Sequence, residues 1–336
     1  MSVSLEYLER CSADNGFQVV ILEKVVRLGE LAGEVARHPF LGEVLALKGG
    51  TALNLCYGPP QRLSVDLDFN YIGQLDRQKM LEDRPRVEEA IVALAKRAGY
   101  RVQRSADAFA GRKLYLRYRS VLGQEDRIEL DLNFLFRLPL VELEKLFVWQ
   151  PGELDRPRIC AVGLVELLIG KVLALLDRGA ARDVWDVTHL PQSAADVIAS
   201  PPFRAWFIGL SAILDHPLPT YTRSRLAGLL TERALVEQLA PMLAGVTTFR
   251  VEDMLDRVWA TVAPLLSLDA HEEAYLAAIE QGELKPELLF PDDSIIAARV
   301  AEHPAILWKI QNVRARAKRQ GKRLNGVVLS DDRRES

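Results

Sequence analysis

The chain has 336 residues, of which 49% are hydrophobic and 26% are charged, and its formal net charge at pH 7 is -3. This composition is typical of a globular protein of one or two domains, and it excludes the collagen-like, disordered and disulfide-scaffold classes. A net charge so close to zero gives no general attraction to nucleic acid, so any such binding must come from a local basic patch.

The three cysteines, Cys11, Cys56 and Cys160, are far apart and lack the spacing of metal ligands. We therefore expect buried thiols in a reducing compartment, the cytoplasm. The first residues of the chain are charged where a secretion signal would have an apolar run. The most apolar stretch, residues 159–176, is interrupted by charged side chains, so no membrane span is expected.

The first predicted elements alternate between helix and strand. Apolar residues at helical spacing predict a helix over residues 16–36, which a His-Pro pair ends. A short apolar run then leads into Gly49 and Gly50 and continues as a brief helix. Residues 64–72 alternate between polar and apolar side chains, which predicts a half-buried strand with its polar residues on one face.

Mixed structure continues to the middle of the chain, and helices follow. A charged helix is predicted at residues 77–98, and strands at residues 100–104, 112–119 and 126–136. Helices are predicted at residues 164–176, 181–190, 223–243, 251–266 and 270–281. The expected fold class is α/β (α+β) followed by a largely helical C-terminal half. Three units are expected: a core at residues 1–195, a helical domain at 196–312 and a charged, flexible tail at 313–336.

Two aspartates on the predicted strand, Asp66 and Asp68, are spaced to point the same way. Mg²⁺ takes oxygen ligands, commonly one or two carboxylates together with water and substrate phosphates. Such a pair is also common on the solvent face of a strand, so the neighbouring residues decide between a metal site and a solvated face. The upstream glycines permit close approach to a phosphate. Arg62 and Ser64 precede the pair, and Asp131 on a later strand would complete a two-metal site.

A set of cations follows in the predicted helices. Lys171, Arg178 and Arg182 share one helical face if the helix continues past Gly179. That face would suit a triphosphate. The alternative is an amphipathic helix whose apolar side packs while the charges are solvated.

Three segments together resemble a known family: KGGTALNL, RLSVDLDF and KVLALLDRGAARDVWDV. Their order is similar to the minimal nucleotidyltransferase pattern of the DNA polymerase β superfamily. In more detail, they resemble the AbiEii/AbiGii family of nucleotidyltransferase toxins, which includes the MenT toxins of mycobacteria. The matching part covers about residues 47–187. The resemblance implies a nucleotidyltransferase core with a mixed sheet.

The resemblance also implies roles for single residues. It assigns Lys171 to phosphate binding and Asp186 to a further essential acidic position; Asp183, three residues earlier, could take that role or pair with Arg182. The catalytic residues would be Asp66, Asp68, Lys171 and Asp186, and the metal ligands Asp66, Asp68 and Asp131. The nucleotide-binding residues would be Lys48, Gly49, Gly50, Thr51, Arg62, Ser64, Arg178 and Arg182.

The implied activity is that of a toxin of a toxin-antitoxin system. It would use Mg²⁺ to add nucleotides from an NTP, with CTP or UTP as expected donors, to the 3′ end of tRNA, and so block aminoacylation and translation. The expected partners are the tRNA acceptor end and an antitoxin encoded next to the toxin, and the protein is expected to be a monomer. The same residues would also serve a nucleotidyltransferase acting on a protein or small molecule, or a phosphotransfer regulator.

The end of the chain carries a basic run. It contains Arg314, Arg316, Lys318, Arg319, Lys322 and Arg323. Runs of like charge are often interaction tails, but they also occur as solvated ends. Two interpretations of the basic run therefore stay open: that it contacts RNA, and that it is a solvated end without a role.

Overall fold

The structure is a computed structural model that describes residues 3–245 and 248–319. Strands occupy the first half of the described chain: β1 Leu45–Lys48, β2 Asp66–Tyr71, β3 Arg101–Arg104, β4 Gly111–Arg119, β5 Glu125–Asn133, β6 Glu144–Phe147 and β7 Arg158–Ala161. Within the described residues they form one seven-stranded sheet in the order β3-β4-β5-β2-β1-β7-β6. The pairs β2/β5 and β1/β7 are parallel and the others antiparallel, so the sheet is mixed, as predicted.

Helices surround this sheet and make up the second half. Those before β7 are α1 Leu5–Asn15, α2 Val19–Arg37, α3 Leu41–Val44, α4 Gly49–Cys56 and α5 Arg77–Arg97. Those after it are α6 Leu164–Arg178, α7 Ala181–Thr188, α8 Gln192–Ile198, α9 Pro201–Ser211, α10 Arg223–Leu229, α11 Glu232–Ala234, α12 Val251–Leu266, α13 Ala270–Glu280, α14 Ser294–Glu302 and α15 Pro304–Arg319. The predicted fold class, a mixed core followed by a helical half, is confirmed.

Side-chain alternation gives the sheet an apolar face and a polar face. On β2, Leu67, Phe69 and Tyr71 are fully buried, and they belong to one apolar cluster with α2, α5 and the inward residues of β4 and β5. A second apolar cluster joins α6, α7 and the later helices. Burial of the odd-numbered residues of β2 leaves its even-numbered polar residues on the opposite face, where the candidate site lies.

The helix predicted over residues 223–243 is broken in the structure. It starts as α10, but Leu230 is extended, and Thr231 begins a new turn by accepting a hydrogen bond from the N–H of Ala234. A π-helical turn at Leu235–Leu239 and a 3₁₀ turn at Ala240–Met242 follow. The apolar periodicity there reflects burial of successive short turns instead of one helix.

The last helix extends into the segment predicted as a flexible tail. Residues 313–319 belong to α15, whereas the remainder of that segment, residues 320–336, lies outside the described residues. The predicted helices at 251–266 and 270–281 are present as α12 and α13. None of the helices in the described ranges combines the length and the apolar character needed to cross a membrane.

Candidate active site

Carboxylates form one wall of a cavity of about 410 Å³ at the polar face of the sheet. Asp66 and Asp68 flank the buried Leu67 on β2, so both point into the cavity, as predicted. The parallel neighbour β5 places Glu129 beside Asp66 and Asp131 beside Asp68. The predicted third carboxylate therefore lies in register with the pair.

The carboxylates repel one another. Burial raises the pKa of Asp68, the negative charges of Asp66 and Asp131 raise it further, and Lys48 on β1 partly offsets this. Lys113 on β4 lies 3.6 Å from Asp131, between the side-chain nitrogen and a carboxylate oxygen. A bound cation would relieve the remaining repulsion, and carboxylate oxygens are the donors that Mg²⁺ prefers.

The geometry sets the number of protein ligands for such an ion. Among the described residues, no three His, Cys, Asp or Glu side chains are grouped closely enough to hold a metal by themselves. Mg²⁺ is commonly bound by one or two carboxylates, with water and phosphate oxygens in the other positions. Asp66 and Asp68 fit that arrangement, and a metal-binding role for Asp131 stays a prediction.

The two glycines bring a helix N-terminus against the carboxylate wall. Lys48 ends β1, and Gly49 opens α4 with a φ of 71°, which favours glycine. A Cβ atom on Gly49 would lie 2.3 Å from an oxygen of Asp68, and one on Gly50 would lie 3.1 Å from both Arg62 and Ser64. Glycine at both positions permits this close approach and leaves the first N–H groups of α4 beside the cavity.

The predicted cations reach the same cavity by a different route. The predicted shared face required one helix that continues past Gly179, and the structure does not have it. Instead, α6 ends at Arg178, Gly179 adopts a φ of 54°, and a new helix, α7, begins at Ala181. Because α7 folds back against α6, Lys171, Arg178 and Arg182 all line the cavity nevertheless. The turn places them opposite the carboxylate wall.

Two buried carboxylates, Asp183 and Asp186, form ion pairs with Lys171, Arg178 and Arg62. Lys171 places its amine 2.9 Å from Asp183 and 2.8 Å from Asp186. Arg178 donates to Asp183 at 2.7 Å. Arg62 donates two hydrogen bonds to Asp186, at 2.6 and 2.7 Å. Three cations thus share two carboxylates, which leaves the network with one excess positive charge.

This network revises the interpretation of the acidic residues on α7. The side chain of Asp186 is 1% exposed, and both of its oxygens are taken by Arg62 and Lys171. Burial alone would raise the pKa of Asp186, but the charges of Lys171 and Arg62 outweigh it and lower that pKa to about 2. Asp186 therefore lies beneath the cavity without lining it, and its catalytic role stays a prediction.

The suggested pairing of Asp183 with Arg182 is wrong. Asp183 pairs with Lys171 and Arg178, and these charges and hydrogen bonds lower its pKa although burial opposes the shift. Arg182 instead lies 3.3 Å from an oxygen of Asp66 across the cavity. This ion pair joins the cation wall directly to the carboxylate wall.

The other predicted nucleotide-binding residues divide between the cavity and its support. Lys48, Gly49, Gly50, Arg62 and Ser64 line the cavity. Thr51, in contrast, is fully buried, and its hydroxyl donates to the backbone carbonyl of Asp66. Thr51 therefore fixes β2 against α4 and makes no part of the cavity wall.

The structure adds cavity residues that the sequence reasoning did not select. Asn70 follows the aspartates on the same face of β2, Glu166 lies in the first turn of α6, and Phe136 and Lys113 also line the cavity. The alternation of polar and apolar residues continues past Asp68, and this pattern predicts that Asn70 lies on the same face as the aspartates. A lone acidic residue within the most apolar stretch of the chain is a signal for Glu166, because charged groups are seldom buried without a role or partner.

Glu166 gives a testable dependence of stability on pH. Burial raises its pKa from 4.5 to about 7, against the opposing effects of the Leu140 N–H and of Lys48. The folded state thus binds this proton more tightly than the unfolded state, so folding free energy is lost as the pH rises from about 4.5 to about 7. We expect the free energy of unfolding of the wild type to fall by about 3 kcal/mol over that pH range, and that of Glu166→Gln not to show this fall.

The measurement is the free energy of unfolding by urea at several pH values for wild type and Glu166→Gln. The exposed Glu237→Gln serves as the control and should follow the wild type. Equal pH slopes for wild type and Glu166→Gln would show that Glu166 ionises normally.

Comparisons with known proteins gave a family and a similar solved structure. The model of the family described as "Nucleotidyl transferase AbiEii toxin, Type IV TA system" matches residues 33–257. The fold is similar to that of MenT4, a nucleotidyltransferase toxin from Mycobacterium tuberculosis, with a TM-score of 0.59 and 20% sequence identity over 91% of this chain and 99% of that one. No curated protein matches the chain.

Proposed function

The chain belongs to the AbiEii family of nucleotidyl transferase toxins, and from this premise we propose that it transfers nucleotides from an NTP to the 3′ end of tRNA. Such extension would block aminoacylation and translation. One observation carries the proposal: carboxylates and a network of paired cations face each other across one cavity, beside a helix N-terminus that begins with glycine. This arrangement suits a metal-bound triphosphate.

The carboxylate wall would hold the donor nucleotide through a cation. Mg²⁺ on Asp66 and Asp68 would supply positive charge to the phosphates and so stabilise the attacking and leaving oxygens. Arg182, which contacts Asp66 in this structure, would then be free to turn to a phosphate oxygen. Asp131, in register with Asp68, is the residue proposed for a second ion.

The cation wall would stabilise the charge of the leaving group. Lys171 uses two of its three N–H donors on Asp183 and Asp186, which leaves one donor for a phosphate. In the proposed reaction, an acceptor hydroxyl forms a bond to the α-phosphorus while the α–β phosphoanhydride bond breaks and pyrophosphate leaves. Preorganised positive charge aimed at such a group acts mainly in the transition state.

Exposed cations at the cavity would contact the acceptor. The side chains of Lys113 and Arg178 are 50% and 63% exposed and both line the cavity. Contacts of this kind with RNA phosphates weaken as salt rises. The tRNA itself comes from the resemblance to MenT-like toxins, and family membership implies a cognate antitoxin. RNA contact by the basic run at residues 314–323 stays a prediction, and its second part lies outside the described residues.

A transfer assay tests the proposal. Purified protein, Mg²⁺ and total tRNA are incubated with each α-labelled NTP in turn, and the products are resolved on a denaturing gel. We expect label on tRNA from one or two nucleotides, CTP or UTP, with none from Asp66→Ala and normal labelling from the exposed Asp253→Ala.

The other outcomes are equally informative. Label on protein or on a small molecule would keep the nucleotidyl transfer and replace the acceptor. Transfer of a γ-label with release of nucleoside diphosphate would identify a phosphotransfer enzyme. No transfer from any NTP by folded protein would overturn the proposed function.

A further inference from the structure

Asn70 is a polar side chain at the cavity with an unused hydrogen-bond acceptor. It lies two residues after Asp68 on the same face of β2, and it lines the cavity although it is only 2% exposed. Its side-chain oxygen Oδ1 has no hydrogen-bond partner among the described residues. Buried polar atoms are almost always paired, so an unpaired acceptor at a binding cavity points to a donor on a ligand.

Glu166 fixes the orientation of this amide. One Glu166 oxygen accepts the backbone N–H of Leu140 at 2.8 Å, and the other lies 3.5 Å from the side-chain nitrogen of Asn70. Turning the amide over would place its oxygen against the carboxylate. When Glu166 is ionised, its carboxylate favours the Asn70 nitrogen on that side and leaves the oxygen for another partner.

The surroundings of Asn70 suit the nucleoside part of a nucleotide. Two residues along a strand span about 7 Å, so the Asn70 amide lies about that far along the strand from Asp68, one of the carboxylates that would hold the phosphates. Phe136, Val162 and Leu167 line the same cavity. Aromatic and apolar side chains with a few placed polar groups are the usual lining of a small-molecule pocket, and a nucleoside is such a ligand.

We propose that Asn70, oriented by Glu166, accepts a hydrogen bond from the nucleoside of the bound NTP and so contributes to the choice of nucleotide. This inference rests on the proposed function, because it requires that the cavity bind an NTP. The donor group is a base amino or imino group, or a ribose hydroxyl. Asn70 would contact the substrate directly, and Glu166 would be a positioning residue that acts through it.

Nucleotide binding, without turnover, provides the test. The dissociation constants of the four NTPs and of their 2′-deoxy and 3′-deoxy forms are measured with Mg²⁺ by calorimetry. The proteins are wild type, Asn70→Leu, Asn70→Ser and Glu166→Gln, with the exposed Gln103→Leu as control. Asn70→Leu keeps the volume and removes the acceptor; Asn70→Ser keeps an acceptor should the leucine variant fail to fold.

We expect Asn70→Leu to reduce the discrimination shown by the wild type at least about tenfold. Asn70→Ser and Glu166→Gln should show a smaller reduction in nucleotide discrimination, and Gln103→Leu should show no reduction. Loss of preference among the four bases would identify a base donor, whereas loss of preference for ribose over deoxyribose would identify a sugar hydroxyl.

Two contrary results are distinguishable. If the wild type binds NTPs and every variant keeps its affinity ratios within about twofold, the role of Asn70 is wrong and the proposed function stands. If the wild type binds none of the NTPs, both are overturned.

Discussion

Replacement of Asp68 by asparagine is expected to lower nucleotide transfer at least ~10³-fold while the protein stays at least as stable as the wild type. Metal ions contribute several kcal/mol to the stabilisation of phosphoryl transition states, and about 4 kcal/mol corresponds to ~10³ in rate. The stability expectation has a separate cause. The pKa of Asp68 is raised by burial and by Asp66 and Asp131, so its charge is unfavourable in the folded protein without a cation.

The two readouts are the initial rate of label transfer to tRNA and the urea midpoint of the same preparation. Asp253→Asn, on the exposed face of α12, should change neither. Asp131→Asn adds a graded arm, because a loss as large as that of Asp68→Asn would support its predicted metal-binding role. A rate for Asp68→Asn within about threefold of wild type, with a normal urea midpoint, would remove this carboxylate from the chemistry.

The carboxylate wall was predictable because strand alternation is a local property. The pattern of residues 64–72 puts Asp66 and Asp68 on one face whatever the sheet does elsewhere. Asp131 follows from the same pattern on a second strand, and the structure pairs that strand in parallel with β2. Local pattern and strand pairing thus agree, and this part of the site needed no knowledge of the helices.

The role of Asp186 was not predictable in the same way, because its partner is distant in the chain. Arg62 and Asp186 are 124 residues apart and meet only when the fold brings α7 against the segment before β2. Helical periodicity shows which residues share a face, but it does not show which element covers that face. An essential carboxylate in a sequence motif can therefore be a ligand or a buried counter-ion, and only the packed structure separates the two.

Short elements were missed for a related reason. The strands β6 and β7 have four residues each and so show little periodic pattern, although β3, equally short, was predicted. Their places in the sheet depend on the pairing of β7 with β1, which is non-local, and β6 then pairs with β7 at the edge. The broken helix after α10 shows the converse, since its apolar pattern was strong but its backbone becomes extended at Leu230 and again at Leu243.

Replacement of Asp186 by alanine is expected to cost about 3 to 5 kcal/mol of folding free energy, because it leaves buried cations without their partner. Arg62 is affected more than Lys171, because its side chain is only 2% accessible and both of its hydrogen bonds to a carboxylate go to Asp186. Lys171 keeps Asp183. Transfer should fall as well, because Arg62 and Lys171 would no longer be held at the cavity.

The pH dependence has a definite direction. Because the pKa of Asp186 is about 2 in the folded protein, its contribution to stability is present above about pH 4 and is lost as the pH falls toward 2. Asp186→Ala should therefore differ most from the wild type at neutral pH, with the difference narrowing in acid. Urea unfolding at pH 7, 4 and 3 measures this.

A matched pair of variants separates burial from ion pairing as the cause. Arg233 and Glu237 form an ion pair of the same kind at the surface, with side chains 83% and 55% exposed, so Glu237→Ala should change stability by no more than about 1 kcal/mol. The double variant Arg62→Met/Asp186→Leu removes charge on both sides and should recover most of the stability lost in Asp186→Ala, without recovering transfer. An Asp186→Ala variant as stable as Glu237→Ala would show that the Arg62 and Lys171 charges are solvated, and that Asp186 serves the reaction in another way.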